Sequence, residues 1–211
     1  MVIKPFKIKL SEKYSLPENA SILDIGAGSH SATIIKKWLP KCNYTGIDIS
    51  RDYHNDESDF KAMDEFFEID LTKLKFDIIP ENKYDLIIMS HVIEHLYNGD
   101  KVITGLTSKL KKGGLMYIEF PSEKSITFPS MRETLNFFDD ATHCRIYSLK
   151  ELCNLLMNNK CKILKAGTRR QWINIFVMPF KIPIQLISKR YVRAGVFWDL
   201  FGFADFIIAK K

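Results

Sequence analysis

Two glycines directly after a short apolar run near the N-terminus limit what this chain can fold into. Residues 21–25, Ser-Ile-Leu-Asp-Ile, have the length and composition of a buried parallel strand, and Gly26 and Gly28 follow it. A helix is expected to begin near Ser31. Because glycine has no Cβ, a ligand can touch the backbone of such a turn. A strand, a glycine turn and a helix in this order predict a binding site for a nucleotide-type ligand.

Strand-like and helix-like segments alternate along the rest of the chain. Further strands are predicted at residues 44–49, 67–70, 84–89, 114–120, 161–165 and 203–209. Helices are predicted at residues 31–39, 60–66, 102–110 and 148–158, with Lys111, Lys112 and Gly113 closing the third of them. Such alternation is typical of an α/β fold with a largely parallel sheet.

The length and composition of the chain fit one compact domain. Of its 211 residues 46% are hydrophobic, which is enough for a sizeable core, and we predict a single domain over residues 1–211. Its parts are an N-terminal lead-in at 1–20, a substrate-side segment at 122–147, and an apolar and basic insertion at 168–202. No secretion signal is recognisable, and the cysteines have neither disulfide-framework nor zinc-site spacing. We therefore expect a cytoplasmic protein.

Positive charge is concentrated towards the C-terminus. The net charge is +6, but residues 160–211 alone contain 11 Lys and Arg against two Asp. Among them, residues 172–193 combine apolar and aromatic side chains with basic ones, while Pro179 and Pro183 argue against a membrane-spanning helix. Packing in the core or at a dimer face is the more common explanation of such a segment. Peripheral contact with a membrane surface is the alternative.

Three of the predicted strands carry an aspartate at their carboxyl ends, where parallel α/β sheets bind their ligands. Asp48 follows Asp24 by 24 residues, which is where a ribose diol can be held by two hydrogen bonds. Asp70 can accept a hydrogen bond from an adenine amino group, with Ile49 and Leu71 as apolar flanks for the ring. One such aspartate alone is more often a loop or helix-cap residue, but the joint spacing favours a binding role.

Two other phosphate-binding patterns fit the chain poorly. The dinucleotide fingerprint G-x-G-x-x-G requires Gly or Ala at its third position, where this chain has Ser31. An ATP-binding P-loop is excluded, because the pattern G-x-x-x-x-G-K-[ST] does not occur. The glycine turn is therefore not that of a typical dinucleotide or ATP site.

Five segments together resemble the class I S-adenosylmethionine-dependent methyltransferases, and within them the small-molecule and glycan (type 11-like) group. They are Leu23-Asp-Ile-Gly-Ala-Gly28, Gly46-Ile-Asp48, Ile69-Asp-Leu71, residues 84–96 (Tyr-Asp-Leu-Ile-Ile-Met-Ser-His-Val-Ile-Glu-His-Leu) and Leu110-Lys-Lys-Gly-Gly-Leu115. The resemblance covers about residues 20–120 in the expected order. It implies a Rossmann-like, seven-stranded, mostly parallel sheet with helices on both faces, whose last strand, at 203–209, is antiparallel.

The resemblance also implies a cofactor and its site. S-adenosylmethionine is the expected cofactor, with S-adenosylhomocysteine as its product. Asp24, Gly26 and Gly28 would line the methionine portion, Asp48 the ribose, and Asp70 with Leu71 the adenine, while Ser90 and His91 would lie near the sulfonium. His30 stands where the family often has a third glycine. Methyl transfer requires the acceptor in line with the methyl group, so positioning can supply most of the acceleration.

Residues 91–95, His-Val-Ile-Glu-His, also match the H-x-x-E-H pattern of one class of zinc metalloprotease. On a helix, both imidazoles would share one face. Because the pattern directly follows a strand and lies between methyltransferase-like segments, we predict no metal site. We expect Glu94 to face the helix dipole and His95 to pack under the sheet, and we keep His91 as a candidate catalytic residue.

A second candidate catalytic residue, His143, follows the substrate-side segment. Residues 139–147 resemble an element that many small-molecule and sugar methyltransferases carry after the fifth strand, with Asp or His and then an aromatic residue. Histidine titrates near neutral pH, so His143 is suited to taking a proton from a hydroxyl, oriented by Asp139 or Asp140. The alternative is a surface turn that caps the helix at Ser148.

The sequence thus predicts an enzyme that transfers a methyl group from S-adenosylmethionine to oxygen of a small-molecule or carbohydrate-type acceptor. The first alternative is a nucleic-acid methyltransferase. Against it, the chain lacks the Asn/Asp-Pro-Pro-aromatic element of amino-group methylation on bases, and we recognise no appended RNA-binding domain. The second alternative is a non-catalytic protein that binds the cofactor. We expect the acceptor molecule, and not a nucleic acid, as the binding partner.

Overall fold

The computed structural model describes residues 4–211, so the first three residues of the predicted lead-in lie outside the described part. Within that part, one sheet contains β1 (Ser21–Ile25), β2 (Asn43–Asp48), β3 (Glu65–Glu68), β4 (Tyr84–Ser90), β5 (Leu110–Pro121), β6 (Lys162–Thr168) and β7 (Ala204–Lys210). Their order across the sheet is β3-β2-β1-β4-β5-β7-β6, and β7 runs antiparallel to both of its neighbours. The predicted seven-stranded, mostly parallel sheet with a reversed last strand is confirmed.

Helices cover both faces of this sheet. They are α1 (Phe6–Lys13), α2 (Ser31–Trp38), α3 (Glu57–Ala62), α4 (Gly99–Lys109), α5 (Leu149–Asn158), α6 (Trp172–Lys189) and α7 (Trp198–Phe201). Apolar residues of α1 and α2 pack on one face of the sheet, and those of α4 and α5 pack on the other. The sheet is therefore the middle layer of three.

Side chains alternate between these two layers along the central strand β4. Leu86 and Ile88 belong to the apolar layer beneath α1 and α2, whereas Ile87 and Met89 belong to the layer beneath α4 and α5. All four are at most 1% exposed. A continuous apolar run is what a parallel strand covered on both faces requires, which is why this strand was predictable.

The order of the strands reverses at β1. From β1 the chain moves to β2 and then β3 on one side, and it returns to β4 on the other side of β1. At such a point the loops after the two central strands leave in opposite directions, and a crevice opens at the carboxyl ends of the strands. The glycine turn after β1 and the loop after β4 flank this crevice.

Two boundaries in the region after β2 differ from the prediction. β3 covers Glu65–Glu68 and not 67–70, so Asp70 lies two residues beyond the strand. α3 begins earlier than predicted, at Glu57, because Asp56 caps it in a reciprocal capping box. Capping of this kind fixes a helix start more strongly than the apolar spacing from which the helix was predicted.

Lys111, Lys112 and Gly113 do not close α4, contrary to the prediction. They belong to β5, which begins at Leu110 directly after the helix. Gly113 adopts φ of +84°, and its amide donates to the carbonyl oxygen of Lys211 at 2.8 Å. Gly113 therefore allows a bend in β5 beside Lys211 and does not cap a helix.

The insertion at 168–202 contains a helix that its prolines concealed. α6 runs for 18 residues with Pro179 and Pro183 inside it. Proline has no amide hydrogen and usually interrupts a helix interior, so the sequence favoured a broken segment. Among the helices of the described residues, none combines the length and apolarity that crossing a membrane requires.

The packing of the core predicts how a substitution at Ile118 changes stability. Ile118 is fully buried in β5 and pairs with Met89 of β4 and Ile207 of β7. Ile118→Ala removes most of a side chain that two neighbouring strands hold in place. We expect the free energy of unfolding to fall by about 2–5 kcal/mol, measured by urea denaturation. Ile78→Ala is the control, at a position that is 59% exposed, and should stay within about 0.5 kcal/mol of the wild type. Equal effects of the two changes would contradict this packing.

Candidate functional site

A cleft of about 1090 Å³ opens at the carboxyl ends of the central strands. Every residue predicted to bind a cofactor or to act in catalysis lines it. These residues are Asp24, Gly26, Gly28, Asp48, Ile49, Asp70, Leu71, Ser90, His91 and His143. They come from separate segments of the chain, and the fold brings them to one place. Their individual roles remain predictions.

The glycine turn after β1 has no room for side chains. Gly26 adopts φ of +74°, which side-chain-bearing residues rarely adopt, and a Cβ there would lie 2.4 Å from Cγ2 of Val92. A Cβ on Gly28 would lie 2.7 Å from the carbonyl oxygen of Tyr53. The turn is thus enclosed between the loop after β2 and the loop after β4, and both glycines are required by packing alone.

His30 adopts a backbone conformation that favours glycine. Its φ is +61°, in the left-handed region, where a non-glycine residue is strained by about 1–3 kcal/mol. Its Nδ1 lies 2.6 Å from Oδ2 of Asp59, whose side chain is fully buried. This contact offsets part of the strain and joins the glycine turn to α3.

Asp24 is the most deeply buried of the three predicted aspartates, at 2% exposure. Its Oδ2 accepts hydrogen bonds from the hydroxyls of Tyr44 at 2.8 Å and Ser31 at 2.5 Å. Burial and the negative charge of Asp24 hold the pKa of Tyr44 well above its usual range, so this hydroxyl stays a donor. Because both bonds use one oxygen, the carboxylate keeps Oδ1 for another partner.

Asp48 ends β2 beside an exposed apolar residue. Its Oδ1 accepts a hydrogen bond from the amide of Ile49 at 2.7 Å. Burial raises the pKa of Asp48, although the backbone hydrogen bonds from Ile49 and Ser50 oppose this. Ile49 is 68% exposed at the edge of the cleft, so it offers apolar surface to a ring beside the carboxylate.

Asp70 is both a cap and a cleft residue. Its Oδ1 accepts from the hydroxyl and the amide of Thr72, at 2.6 and 3.0 Å, and caps the short 3₁₀ turn Leu71–Lys73. These hydrogen bonds lower the pKa of Asp70, with a smaller contribution from Lys73. The cap occupies one oxygen, so capping does not conflict with the predicted contact to a ligand.

His91 follows β4 in a left-handed conformation, with φ of +55°. Its Nδ1 lies 3.2 Å from Oε1 of Glu94, and its Nε2 lies 3.1 Å from Oε1 of Glu119. An ionised carboxylate only accepts hydrogen bonds, so both ring nitrogens carry hydrogens. Burial favours the neutral ring, but the hydrogen bonds to Glu119 and Glu94 outweigh it and raise the pKa of His91 to about 9. His91 is therefore a cation at neutral pH and cannot accept a proton there.

Residues 91–95 do not form the helix that the H-x-x-E-H pattern assumed. His91 precedes a single 3₁₀ turn at Ile93–His95, so the two imidazoles do not share a helical face. Glu94 is 1% exposed and faces His91, not a helix dipole, and His95 lines the cleft instead of packing under the sheet. Both expectations were wrong, because the chain makes only one 3₁₀ turn here, and this turn directs Glu94 to His91 and His95 to the cleft.

A buried network of charges lies behind His91. Nη1 of Arg169 lies 2.9 Å from Oε1 of Glu119, and its Nε lies 3.6 Å from Oδ1 of Asp199. Burial alone would raise the pKa of Glu119, but the charge of Arg169 and the contact with His91 lower it to about 2. This network was not predicted from the sequence. Its signal was Glu119 inside the otherwise apolar predicted strand at 114–120, because a buried glutamate requires a partner.

His143 and His95 face each other in the cleft, with ring centroids 4.8 Å apart. Nδ1 of His143 lies 2.7 Å from the carbonyl oxygen of Phe137, so this nitrogen carries the hydrogen. The hydroxyl of Thr142 donates to Asp140 at 2.6 Å and therefore accepts from Nδ1 of His95 at 2.9 Å. When neutral, both histidines thus keep their lone pair on Nε2.

Asp140, and not Asp139, lies next to His143. Oδ2 of Asp140 is 3.8 Å from Nε2 of His143, and Oε1 of Glu94 is 4.0 Å from the same atom. The carboxylate of Asp139 instead accepts from backbone amides of its own loop. Ser148 caps α5 with its own side chain, so a cap does not account for His143.

Three side chains of this group are close enough to share one divalent ion. The donor atoms of Glu94, His95 and His143 lie within 4.8 Å of one another. Oε2 of Glu94 is buried and has no hydrogen-bond partner among residues 4–211. The absence of a metal site stays a prediction. An ion held here would occupy Nε2 of His143, so metal binding and proton acceptance by His143 exclude each other.

Several residues of the cleft wall were missed in the sequence. Tyr53 and His54 stack on each other at 4.5 Å between ring centroids, beside the glycine turn. Trp198 stacks on Phe203 at 4.6 Å and lies 5.1 Å from the ring of His91. Glu133 contributes a further carboxylate. They belong to loops and to the insertion, and no motif marked them, because only the folding of distant segments brings them to the cleft.

The contacts of His91 predict how stability depends on pH. Its pKa of about 9 lies above the ordinary value of 6.5, so the stabilisation from its protonated form is complete below pH 6.5 and lost as pH rises through 9. We expect the difference in free energy of unfolding between the wild type and His91→Gln to shrink over this interval. Urea denaturation across the interval measures it. His54→Gln, at a largely exposed ring, is the control. A constant difference for His91→Gln would contradict the charged state.

Comparison with known proteins gives matches at the levels of family, sequence and fold. A family model described as a methyltransferase domain matches residues 3–166. Malonyl-[acyl-carrier protein] O-methyltransferase 2 of Ilyobacter polytropus is 31% identical over 156 residues, which are 71% of this chain and 58% of that protein. Ubiquinone biosynthesis O-methyltransferase of Pelagibacter ubique is 30% identical over 122 residues, which are 56% of this chain and 48% of that protein. The chain spans about half the length of the curated relatives it matches.

Solved structures share the fold at low sequence identity. The S-adenosylmethionine-dependent methyltransferase from Archaeoglobus fulgidus superposes with a TM-score of 0.64 at 18% identity, covering 97% of this chain and 92% of that one. A second S-adenosylmethionine-dependent methyltransferase, from Mesorhizobium loti, gives a TM-score of 0.64 at 13% identity, with 96% of each chain covered. These matches confirm the predicted fold and a methyltransferase domain. The chain belongs to the methyltransferase-domain family and has the class I fold of S-adenosylmethionine-dependent methyltransferases.

Proposed function

We propose that this chain transfers a methyl group from S-adenosylmethionine to a hydroxyl oxygen of a small-molecule or carbohydrate-type acceptor. The observation that carries the proposal is one cleft in which Asp24, Asp48 and Asp70 converge with His143, whose Nε2 is free to accept a proton when the ring is neutral. The two relatives named as O-methyltransferases support oxygen as the acceptor atom.

The cleft fits this cofactor in shape and in charge. The turn of Gly26 and Gly28 leaves no space for a Cβ, as a site of close backbone approach requires. The cleft lining contains six acids and one lysine: Asp24, Asp48, Asp70, Glu94, Glu133, Asp140 and Lys7. A negative lining favours a cationic ligand and disfavours a phosphate backbone, which supports a sulfonium cofactor over a nucleic-acid acceptor.

Each part of the cofactor has residues proposed to hold it. Asp48 would accept two hydrogen bonds from the ribose diol, and Asp70 one from the adenine amino group, with Ile49 and Leu71 against the ring. Asp24, with the glycine turn, would hold the methionine portion, next to Ser90. When bound, S-adenosylmethionine supplies an electrophilic methyl group on a positively charged sulfur.

His143 is proposed to take the proton of the acceptor hydroxyl at Nε2. The hydrogen bond from its Nδ1 to the carbonyl oxygen of Phe137 fixes the tautomer that this step requires. The cation that forms would face the carboxylates of Asp140 and Glu94, at 3.8 and 4.0 Å from Nε2. Residues 122–147 would form the substrate side, since this segment supplies Glu133, Asp140 and His143 to the cleft.

We propose that His91 holds the loop after β4 in place and does not exchange a proton. Both of its nitrogens donate to carboxylates, and Glu94 and Glu119 neutralise its charge beside the sulfonium position. Its amide also donates to the backbone carbonyl of Glu119 at 2.8 Å, which joins the loop after β4 to β5. The sequence predicted a catalytic role for His91. We propose instead that His91 holds the loop after β4 in place and takes no part in proton transfer.

Methyl transfer can be tested directly with S-adenosylmethionine that carries a deuterated methyl group. We expect incubation with a small-molecule extract to give labelled O-methylated products, detected by mass spectrometry together with S-adenosylhomocysteine. Label in added RNA, or retention of mixed RNA on a filter at low salt, would favour a nucleic-acid acceptor. Tight cofactor binding with no labelled product from any acceptor would favour the non-catalytic alternative.

The ribose assignment predicts a loss of affinity on replacing Asp48. Asp48→Ala removes two hydrogen bonds to a charged acceptor, each contributing about 1.5–3 kcal/mol, so we expect affinity to fall by about a hundredfold or more. Calorimetric titration with S-adenosylhomocysteine measures this. Asp52→Ala, in the exposed part of the same loop, is the matched control and should bind like the wild type. Unchanged affinity in Asp48→Ala would contradict the assignment.

The base assignment predicts a separation of binding from transfer at His143. His143→Ala should keep its affinity for S-adenosylhomocysteine and lower the single-turnover rate about 10²- to 10⁴-fold. Lys150→Ala, on an exposed position of α5, is the control. Equal losses of affinity and rate would make His143 structural.

Treatment with EDTA should leave the rate of methyl transfer unchanged. A loss of rate that a divalent ion restores would instead assign Glu94, His95 and His143 to a metal site.

A further inference from the structure

Over residues 172–187 α6 presents only apolar residues to solvent, whereas an ordinary surface helix exposes polar ones. From residue 172 to residue 187 every exposed residue is apolar: Trp172, Ile173, Phe176, Pro179, Phe180, Pro183, Ile184, Leu186 and Ile187. Phe176 and Phe180 are each 71% exposed, and Ile187 is 85% exposed. Spacings of three and four residues place most of them on one side of the helix.

Three polar residues of α6, Asn174, Lys181 and Gln185, are partly buried and hydrogen-bonded on the opposite side. Nδ2 of Asn174 donates to Oδ2 of Asp199 at 2.8 Å, and Nζ of Lys181 donates to Oδ1 of Asn174 at 3.5 Å. Oε1 of Gln185 accepts from the amide of Arg193 at 2.9 Å. These contacts fix the rotation of the helix, so the apolar side cannot turn inward without breaking them.

Every charged residue in the stretch of chain that contains this apolar side, residues 171–198, is basic. Residues 171–198 contain no Asp or Glu, and Asp199 is 3% exposed. Arg170 lies exposed before the helix, and Lys189 and Arg190 lie exposed at its end. A second copy of this chain would bring like charges together at both ends of a paired helix. An anionic lipid surface complements both the apolar side and the charges.

The geometry of α6 suits a position in the plane of a membrane surface. Its 18 residues span about 27 Å at 1.5 Å per residue. Pro179 and Pro183 both lie on the exposed side. The helix lacks the length and apolarity for crossing, so its apolar side would enter the boundary between headgroups and acyl chains, with the basic residues at the headgroups.

Both ends of α6 are joined to the wall of the cleft. At the N-terminal end, Oδ1 of Asp199 accepts from the amide of Gln171 at 3.0 Å, and Asp199 follows the cleft residue Trp198 directly. At the C-terminal end, Nε of Arg193 lies 3.1 Å from Oε2 of the cleft residue Glu133. Any external surface to which α6 binds would therefore lie next to the cleft.

We propose that α6 docks this protein on an anionic lipid bilayer and places the cleft at the membrane surface, where an amphiphilic acceptor can enter from the lipid. The docking is independent of methyl transfer, whereas the acceptor class rests on the function proposed above. Docking occurs through the apolar side around Phe176 and Phe180, and Lys189 and Arg190 make it depend on lipid charge.

Co-sedimentation with vesicles tests the docking without cofactor or acceptor. The wild type should bind vesicles containing phosphatidylglycerol and bind pure phosphatidylcholine about tenfold or more weakly, with added salt reducing the binding. Phe176→Ser combined with Phe180→Ser, and Lys189→Glu combined with Arg190→Glu, should each lower binding about tenfold or more. Ile78→Ser, an exposed apolar position elsewhere, is the control. Thermal unfolding of all variants should match the wild type, because the replaced side chains are exposed.

Several results would overturn the docking. One is equal sedimentation of the wild type and the phenylalanine variant, and another is equal binding to neutral and anionic vesicles. Absence of vesicle binding, together with a wild-type dimer that the phenylalanine variant converts to a monomer, would assign the face to a second copy. If the wild type binds vesicles but methylates no added acceptor, docking stands and the proposed function fails.

Discussion

The loops after β1 and β4 leave the sheet in opposite directions, and the rest of the site depends on this divergence. It follows from the strand order, in which the chain builds β2 and β3 on one side of β1 and then crosses to β4 on the other. The crevice that opens between the loops receives the carboxylates of Asp24 and Asp48 from neighbouring strands. The glycines after β1 keep it open, because a Cβ at either position would collide with the adjacent loops.

Charge in this cleft is arranged in two zones. Asp24, Asp48 and Asp70 lie on the side of the glycine turn, whereas His91 is the first member of a buried network that continues through Glu119 to Arg169. Each charge in the network has an opposite partner, so burial does not neutralise the groups but fixes their protonation states. The network also joins the end of β4 to the insertion, which carries α6 and α7.

The sequence predicted the central part of the fold because local pattern and tertiary environment agree there. β4 is buried on both faces, so its apolar run was unmistakable, and the glycine turn after β1 has a conformation that favours glycine. Where a single local contact decides, the prediction failed. A capping box at Asp56 moved the start of α3, and the chain after His91 forms one 3₁₀ turn, in which Glu94 contacts His91, and not a helix. α6 continues through two prolines that sequence patterns treat as helix breakers.

The sequence by itself determined the order of the strands and of the helices α2 to α5, the family, and the residues at the strand ends, because burial, glycine conformation and spacing leave local traces. Only the tertiary structure decided the protonation of His91, the pairing of His143 with Asp140, and the exposure of the apolar side of α6. Each of these depends on segments distant in the chain, such as Glu119 beside His91 and Asp199 beside α6. A sequence pattern records what a residue is, whereas these properties depend on what the fold places next to it.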